Sequence, residues 1–374
     1  MRTWRVCLAA AAAVMAASLM PAPAHAQAPT LPGVTVVASG LNNPRGLAFG
    51  PDGALYVAEG GTGGTASTAG QCAQVPAPIG PYTGGLTASI SKISRQGTRT
   101  VVASGLPSSQ TAPPMSFVTG VADVTFGPGG SLFALIAGAG CSHGLAGTSN
   151  QIVRVHRDGS VTTVADLAAF LAAHPVVTPD AADFEPDGTW YSFVMAGRGF
   201  YAVEPNHQEL DKITADGQVT RVIDFSKFFP GNTDWRGPTA MTSRGGSLYI
   251  GTLTPFPVKA GAAEVFKCNP QTGRFSVFAS DLSTVLGLAF GKDGALYVLE
   301  MSTQNGGPAP ATGAVIRIKG SNRTTIVSGL NFPTGITAGP DGNLYVSVNG
   351  FGGPTDARAG QVVRIALTTD YQGR

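Results

Sequence analysis

An all-β fold assembled from six similar units is predicted by three features of this 374-residue chain. The first is a phrase that returns: "GLAFGPDGALYV" at 46–57 recurs as "GLAFGKDGALYV" at 287–298 and "GITAGPDGNLYV" at 335–346. The second is composition, since 51 glycines and 27 prolines accompany 43% hydrophobic residues. That combination supplies a core while demanding many turns. The third is a permutation: the last unit is one strand short, and the missing strand matches "GVTVVASGL" near the start, at 33–41.

Each unit opens with a hairpin. Three further copies are "DVTFGPGGSLFAL" at 123–135, "AADFEPDGTWYSF" at 181–193 and "TAMTSRGGSLYI" at 239–250. The turn glycines fall at Gly53, Gly130, Gly188, Gly246, Gly294 and Gly342, where a tight hairpin needs positive φ. A second hairpin follows each of the first five copies, as in "SISKISRQGTRTVVAS" and "AVIRIKGSNRTTIVSG". The sixth copy is followed only by "GQVVRIALTTD" at 360–370. Six four-stranded antiparallel blades, the last closed by the N-terminal strand, make a six-bladed β-propeller without a long free edge. The expected blades span about 44–106, 117–166, 179–226, 236–282, 284–330, and 332–370 plus 33–41.

The first 26 residues are expected to lie outside that domain, which then covers 27–374. Arg2 and Arg5 precede the apolar run "VCLAAAAAVMAASLM", and "AHA" at 24–26 supplies a small-x-small cleavage pattern. This reads as a secretory signal, with an uncleaved anchor as the alternative, and places the protein in a secreted or periplasmic compartment. Without Arg2 and Arg5, the 24 basic residues become 22, against 22 acids. A neutral chain lacks the electrostatic footprint for nucleic acid or an anionic membrane. No later apolar run reaches spanning length, and a monomer is expected.

Strand alternation separates the links. The Asp-Gly turns share one face of the disc, and the long segments share the other: 60–85, 107–120, 166–179, 225–237, 301–313 and 349–360. Irregular loops on a rigid scaffold are where binding usually sits. Cys72 and Cys141 fall in such loops on adjacent blades, so a disulfide between them is expected, leaving Cys268 as a packed free thiol. Phe228, Phe229 and Trp235 cluster in one link, as a stacking platform or as a plug.

Candidates for chemistry are the residues at the channel mouth. Second strands are expected to end at Glu59, Ile136, Val194, Thr252, Glu300 and Val348, and Asn349 follows the last. Inner strands are expected to begin at Arg45, Ala122, Asp180, Thr239, Leu286 and Thr334, with Asp183 nearby. Arg45, Glu59, Asp180, Asp183, Glu300 and Asn349 are therefore the binding candidates. The histidines His143, His156, His174 and His207 show no zinc spacing, and no G-x-S-x-G elbow occurs. "GPDGALYV" precedes a strand rather than a helix, which excludes a phosphate-cradling loop.

The repeat resembles the NHL, gluconolactonase and strictosidine-synthase group of six-bladed propellers. "GLNNPRGLAFGPDGALYVAEGG" and "SGLNFPTGITAGPDGNLYV", with the leader, are similar to the ScyD/ScyE family across residues 31–370. That resemblance implies an accessory protein binding a small molecule, glycan or extracytoplasmic protein, without an established reaction. The gluconolactonase likeness implies an alternative: a lactonase, hydrolase or lyase using a channel Ca²⁺ held by oxygen ligands such as Glu59, Glu300 and Asn349. Competing with it is a purely structural role, in which Glu59 pairs with Arg45 and Glu300 meets solvent.

Overall fold

The computed structural model describes residues 31–113, 117–179, 181, 184–230, 236–352 and 359–368. The leader segment 1–26 lies outside them. The chain is an all-β six-bladed propeller with four-stranded antiparallel blades. Blade 1 comprises Pro44–Phe49, Leu55–Glu59, Thr83–Ile93 and Arg99–Gln110, extended by the short strand Val118–Thr119. Blade 2 comprises Val121–Phe126, Leu132–Ile136, Gln151–Val155 and Val161–Asp166. Blade 3 comprises Ser192–Ala196, Gly199–Glu204, Glu209–Thr214 and Val219–Asp224. Blade 4 comprises Gly237–Arg244, Ser247–Leu253, Ala263–Cys268 and Phe275–Leu282. Blade 5 comprises Val285–Phe290, Leu296–Glu300, Gly313–Lys319 and Asn322–Leu330. Blade 6 comprises Gly335–Ala338, Leu344–Val348 and Gly360–Ile365, with Val34–Leu41 as its outer strand. That outer strand runs antiparallel to Gly360–Ile365, with Val34 opposite Ile365 and Leu41 opposite Gly360.

A flat sheet has two faces to cover, and here each is covered by the next blade. Every one of the six apolar clusters spans a pair of adjacent blades. The repeat's aromatic residues build these contacts. Phe49, Phe126 and Phe290 close the inner strands of blades 1, 2 and 5. Each meets a tyrosine of the preceding blade edge-on: Tyr345 at 4.9 Å, Tyr56 at 5.0 Å and Tyr249 at 4.9 Å. Such edge-to-face pairs add about 0.5–1.5 kcal/mol beyond their buried area. In blade 6 the aromatic position is Ala338, which packs against the cluster that holds the fully buried Tyr297 of blade 5.

The third copy of the repeat is corrected by the structure. "EPDG" at 185–188 does form a turn, with the Gly188 N–H donating to the Glu185 carbonyl at 2.8 Å. However, it belongs to the link before blade 3, whose inner hairpin turns at Gly197–Arg198 instead. Val194 therefore lies within an inner strand, and the second strand ends at Glu204. The turn signal was genuine, but Trp190 is buried in the blade 2–3 cluster and starts no strand. The link after blade 2 also holds a short helix, Leu167–Ala173, capped by Asp166 accepting from the Ala169 N–H at 2.9 Å. Its good helix formers bury Leu167 and Leu171 between blades 2 and 3.

Cys72 and Cys141 form a disulfide with 6.3 Å between their Cα atoms, and Cys268 is a free, buried thiol. Burial pushes the Cys268 thiol up to about 11, so it stays protonated and unreactive. The bridge ties the long loop of blade 1 to the 3₁₀ turn Cys141–His143 of blade 2.

The seam between blades 6 and 1 is the thinnest cluster, with seven buried residues including Ala38, Leu41, Leu47 and Val362. Leu41 is fully buried there. Leu41→Ala is expected to lower the unfolding free energy by about 2–5 kcal/mol in denaturant titration. Replacing both Cys72 and Cys141 by serine removes a cross-link closing 69 residues. It is expected to cost about 2–4 kcal/mol, read as a fall in melting temperature that reducing agent reproduces in the native protein.

Candidate functional site

Two cavities lie along the propeller axis. The narrower is the channel, about 190 Å³, lined by inner strands of all six blades. The wider, about 1090 Å³, opens above it on the face carrying the long loops. Arg45, Thr119 and Tyr191 line both, so the two meet at the mouth.

Ten of the 25 residues lining the mouth are aromatic or prolyl. Tyr82, Phe117, Tyr191, Phe256 and Phe351 line it, with Pro78, Pro205, Pro255, Pro257 and Pro308. Phe117 and Phe351 lie with ring centroids 4.3 Å apart, and the Arg45 guanidinium carbon is 5.7 Å from the Phe351 centroid. Arg45 is held by donating through Nη2 to the Val118 carbonyl. Arg236 and Lys259 add two more cations to the wall, and Glu185 is its one carboxylate among the described residues. The segments expected on this face supply Tyr82, Phe117, Arg236 and Phe351. The link 184–191 and the loop 253–262 add Glu185 and Tyr191, which the sequence placed in the third copy of the repeat, and Phe256, which lay outside any expected element.

Of the six residues singled out from sequence, Arg45 is at the mouth. Glu59 and Glu300 are not, and they play matching structural parts. Each ends a second strand, and each accepts a main-chain N–H from the link before its own blade, Asn42 and Ser283 respectively, at 2.7 Å. Glu59 does not pair with Arg45. It pairs with Arg99 at 2.8 Å, on the fourth strand of blade 1, and also accepts from the Ser91 hydroxyl. Glu300 does not meet solvent: it is 5% exposed, and burial pushes its carboxyl up to about 7. Its blade offers no hydroxyl at the place of Ser91, because the corresponding residue is Ile316. Asn349 sits at positive φ and donates its amide to the Ala359 carbonyl at 3.1 Å. Asp180 and Asp183 lie outside the described residues.

A calcium ion takes roughly six to eight oxygen ligands, several of them carboxylates. Glu59 spends its oxygens on Asn42, Ser91 and Arg99, and neither it nor Glu300 nor Asn349 lines either axial cavity. Among the described residues no group of three His, Cys, Asp or Glu side chains could hold a metal. The proposed ligand set does not fit Ca²⁺.

The acid in the channel is Asp123, the sole carboxylate on the described inner strands. One oxygen accepts from the Val124 N–H at 2.9 Å, and the other from the Ser192 hydroxyl at 2.9 Å and the Phe193 N–H at 3.2 Å. Burial pushes it up to about 7 despite those three donors. It lies directly against Gly46, where an added Cβ would come within 1.9 Å of Oδ1. Its signal in the sequence was one position from the expected inner-strand start, Ala122.

Beside the mouth is a buried polar chain. Tyr82 donates to Glu185 Oε1 at 2.7 Å, Glu185 Oε2 is 3.5 Å from His143 Nε2, and His143 Nδ1 is 2.9 Å from Ser109 Oγ. Ser109 and His143 are wholly buried and line neither axial cavity. Burial pushes His143 down to about 4. A neutral, enclosed imidazole beside an enclosed hydroxyl cannot reach a substrate, so this Ser–His–Glu order braces the wall. Phe228 and Phe229 line neither axial cavity. They pack edge-on and tilted against Phe275 at 5.2 Å and 6.3 Å, and Trp235 lies outside the described residues.

Comparison with solved structures places the chain among six-bladed propellers. A glucose dehydrogenase superposes with a TM-score of 0.53 at 14% identity, covering 90% of this chain and 100% of its own. A gluconolactonase from Xanthomonas campestris gives 0.53 at 10%, covering 90% and 89%. The calcium-binding protein regucalcin from Agrobacterium tumefaciens gives 0.50 at 12%, covering 89% and 92%. At these identities the likeness defines the fold alone. Within that fold, the neighbours belong to the gluconolactonase and NHL-like group of propellers. No family model and no curated protein sequence matches the chain.

An acid whose pKa rises on folding binds its proton more tightly in the native state, so its contribution to stability is lost as pH rises. For Asp123 that window runs from about 4 to about 7. Asp123→Asn is expected to flatten the decline in stability across it, measured by chemical unfolding at pH 4.5, 6 and 7.5. An unchanged pH profile would show that the carboxyl titrates normally.

Proposed function

We propose that this protein is an extracytoplasmic ligand-binding propeller whose mouth takes a small, mostly apolar molecule with an anionic or carbonyl end. The observation that carries this is the 1090 Å³ cavity, walled by aromatic and prolyl side chains with Arg45 at its base. Ligand pockets are typically about 300–1,000 Å³, largely apolar, with a few placed polar groups. The apolar body would lie on the Phe117–Phe351 pair, and its oxygens would meet the Arg45 guanidinium. A leader that reads as a secretory signal, and motifs that resemble the ScyD/ScyE family, support an accessory role outside the cytoplasm.

A second reading is hydrolysis of a lactone or ester. It is favoured by Asp123, whose carboxyl near 7 stands in the channel against Gly46, the neighbour of Arg45. A group with that pKa suits a general base at neutral pH. Gluconolactonase among the structural neighbours agrees with this reading.

Calorimetry with a panel of aromatic and alicyclic carboxylates and lactones tests both. A bound member is expected to lose at least tenfold in affinity, about 1.4 kcal/mol, in Phe117→Ala and Tyr191→Ala. Equal binding by both variants and the native protein would overturn the mouth as the site. Turnover of a lactone that disappears in Asp123→Asn would select the hydrolase reading, whereas binding without turnover would select the first.

A further inference from the structure

The opposite face carries a charge pattern that the repeat makes legible. In every blade the second strand places an aromatic residue opposite a cation on the third strand. The pairs are Tyr56 with Lys92, Phe133 with Arg154, Tyr201 with Lys212, Tyr249 with Lys267, Tyr297 with Arg317, and Tyr345 with Arg364. In blades 1, 5 and 6 the hairpin aspartate neutralises that cation. Asp52 meets Lys92 at 2.7 Å, Asp293 meets Arg317 at 2.6 Å, and Asp341 meets Arg364 at 2.8 Å. Blade 2 has Gly129 at that turn.

Blades 3 and 4 differ more. In blades 1, 5 and 6 the inner hairpin closes with five residues between its last paired positions: Phe49 with Leu55, Phe290 with Leu296, and Ala338 with Leu344. In blade 3 Ala196 pairs with Gly199, and in blade 4 Arg244 pairs with Ser247, so each turn has two residues. Three residues are missing from each turn, and the aspartate goes with them. The space left between the two turns is a cleft of about 590 Å³. Arg198, Lys212 and Arg244 line it, and no acid does. Asp216 stands two residues beyond the lining residue Thr214, whose hydroxyl donates to it at 2.5 Å.

We propose that this cleft binds a small ligand bearing two or more tetrahedral oxyanions, as in phosphate or sulfate esters. Arg198 and Lys212 are exposed and have no ion-pair partner among the described residues. Arg244 is fixed in place by donating to the Gly294 carbonyl at 2.6 Å and by lying 4.8 Å from the Phe290 ring centroid. A held guanidinium loses little freedom on binding and presents a planar fork to an oxyanion, while the mobile lysine supplies a point charge. The turn backbone is open as well. Gly197, Gly245 and Gly246 have positive φ, and a Cβ at any of them would meet nothing within 4 Å. An anionic group can therefore approach their peptides closely.

Isothermal titration of the full chain at low salt, with inorganic tripolyphosphate and with sucrose octasulfate, tests the cleft. At least one probe is expected to bind and to weaken as NaCl is raised. The double variant Arg198→Ala/Lys212→Ala is expected to lower that affinity at least tenfold, with an unchanged melting temperature. Lys92→Ala, on the neutralised side, is expected to leave affinity unchanged. Tighter binding of tripolyphosphate identifies a phosphorylated ligand, and tighter binding of the octasulfate a sulfated one. Absence of binding by both probes, or an equal loss in Lys92→Ala, would overturn the proposal.

Discussion

The architecture depends on burying both faces of every sheet. A four-stranded antiparallel sheet with two apolar faces is insoluble alone, and in a ring each face is covered by a neighbour's. The six clusters between blades show that arrangement completed, including the one joining blade 6 to blade 1. Edge-to-face rings set the spacing at three of these joints with nearly the same geometry, 4.9–5.0 Å and 77–80°. Because one unit's phenylalanine needs the preceding unit's tyrosine, the repeated phrase is a record of inter-blade contacts. Functional groups are then left to the positions that this packing does not use.

The axial stack follows from that division. Inner strands converge on the channel, where side chains are few and Asp123 is the one acid among those described. Loops between second and third strands rise around it and, with the links before blades 2 and 3, supply the aromatic wall. Arg45 stands where the two zones meet. The opposite face is built by tight turns, and its character changes wherever a turn shortens. A single chain thereby carries an apolar bowl on one side and a cationic cleft on the other, while its overall balance of charge stays close to neutral.

The fold was legible because a turn written with Asp-Gly and an apolar alternation are local, and local rules survive in any blade. Sites were less legible because their partners are distant in sequence. Glu59 looked like a channel carboxylate by position, but Arg99, forty residues on, draws it into the blade. Glu300 occupies the same place without the hydroxyl that Ser91 provides, a difference visible only once strands are paired. Blade 3 was misread because a real turn at 185–188 imitates the repeat, while the hairpin's own turn, Gly197–Arg198, is two residues long and lacks the phrase. Asp123 left only a faint trace, since nothing in "VADVTF" says which side chain faces the axis.

The Cys72–Cys141 bridge has a consequence for the bowl. It divides the long stretch from 60 to 85 into two arcs, and the second of them carries Pro78, Ile79 and Tyr82 to the wall. Loop-closure entropy grows only with the logarithm of length, yet two short arcs sample far fewer shapes than one long one. The bridge's other end lies beside Ser142, whose N–H and hydroxyl both donate to Asp187 at 2.6 Å. One side of the bowl is thus already in position, so the ligand proposed for it would lose little affinity to ordering of that wall.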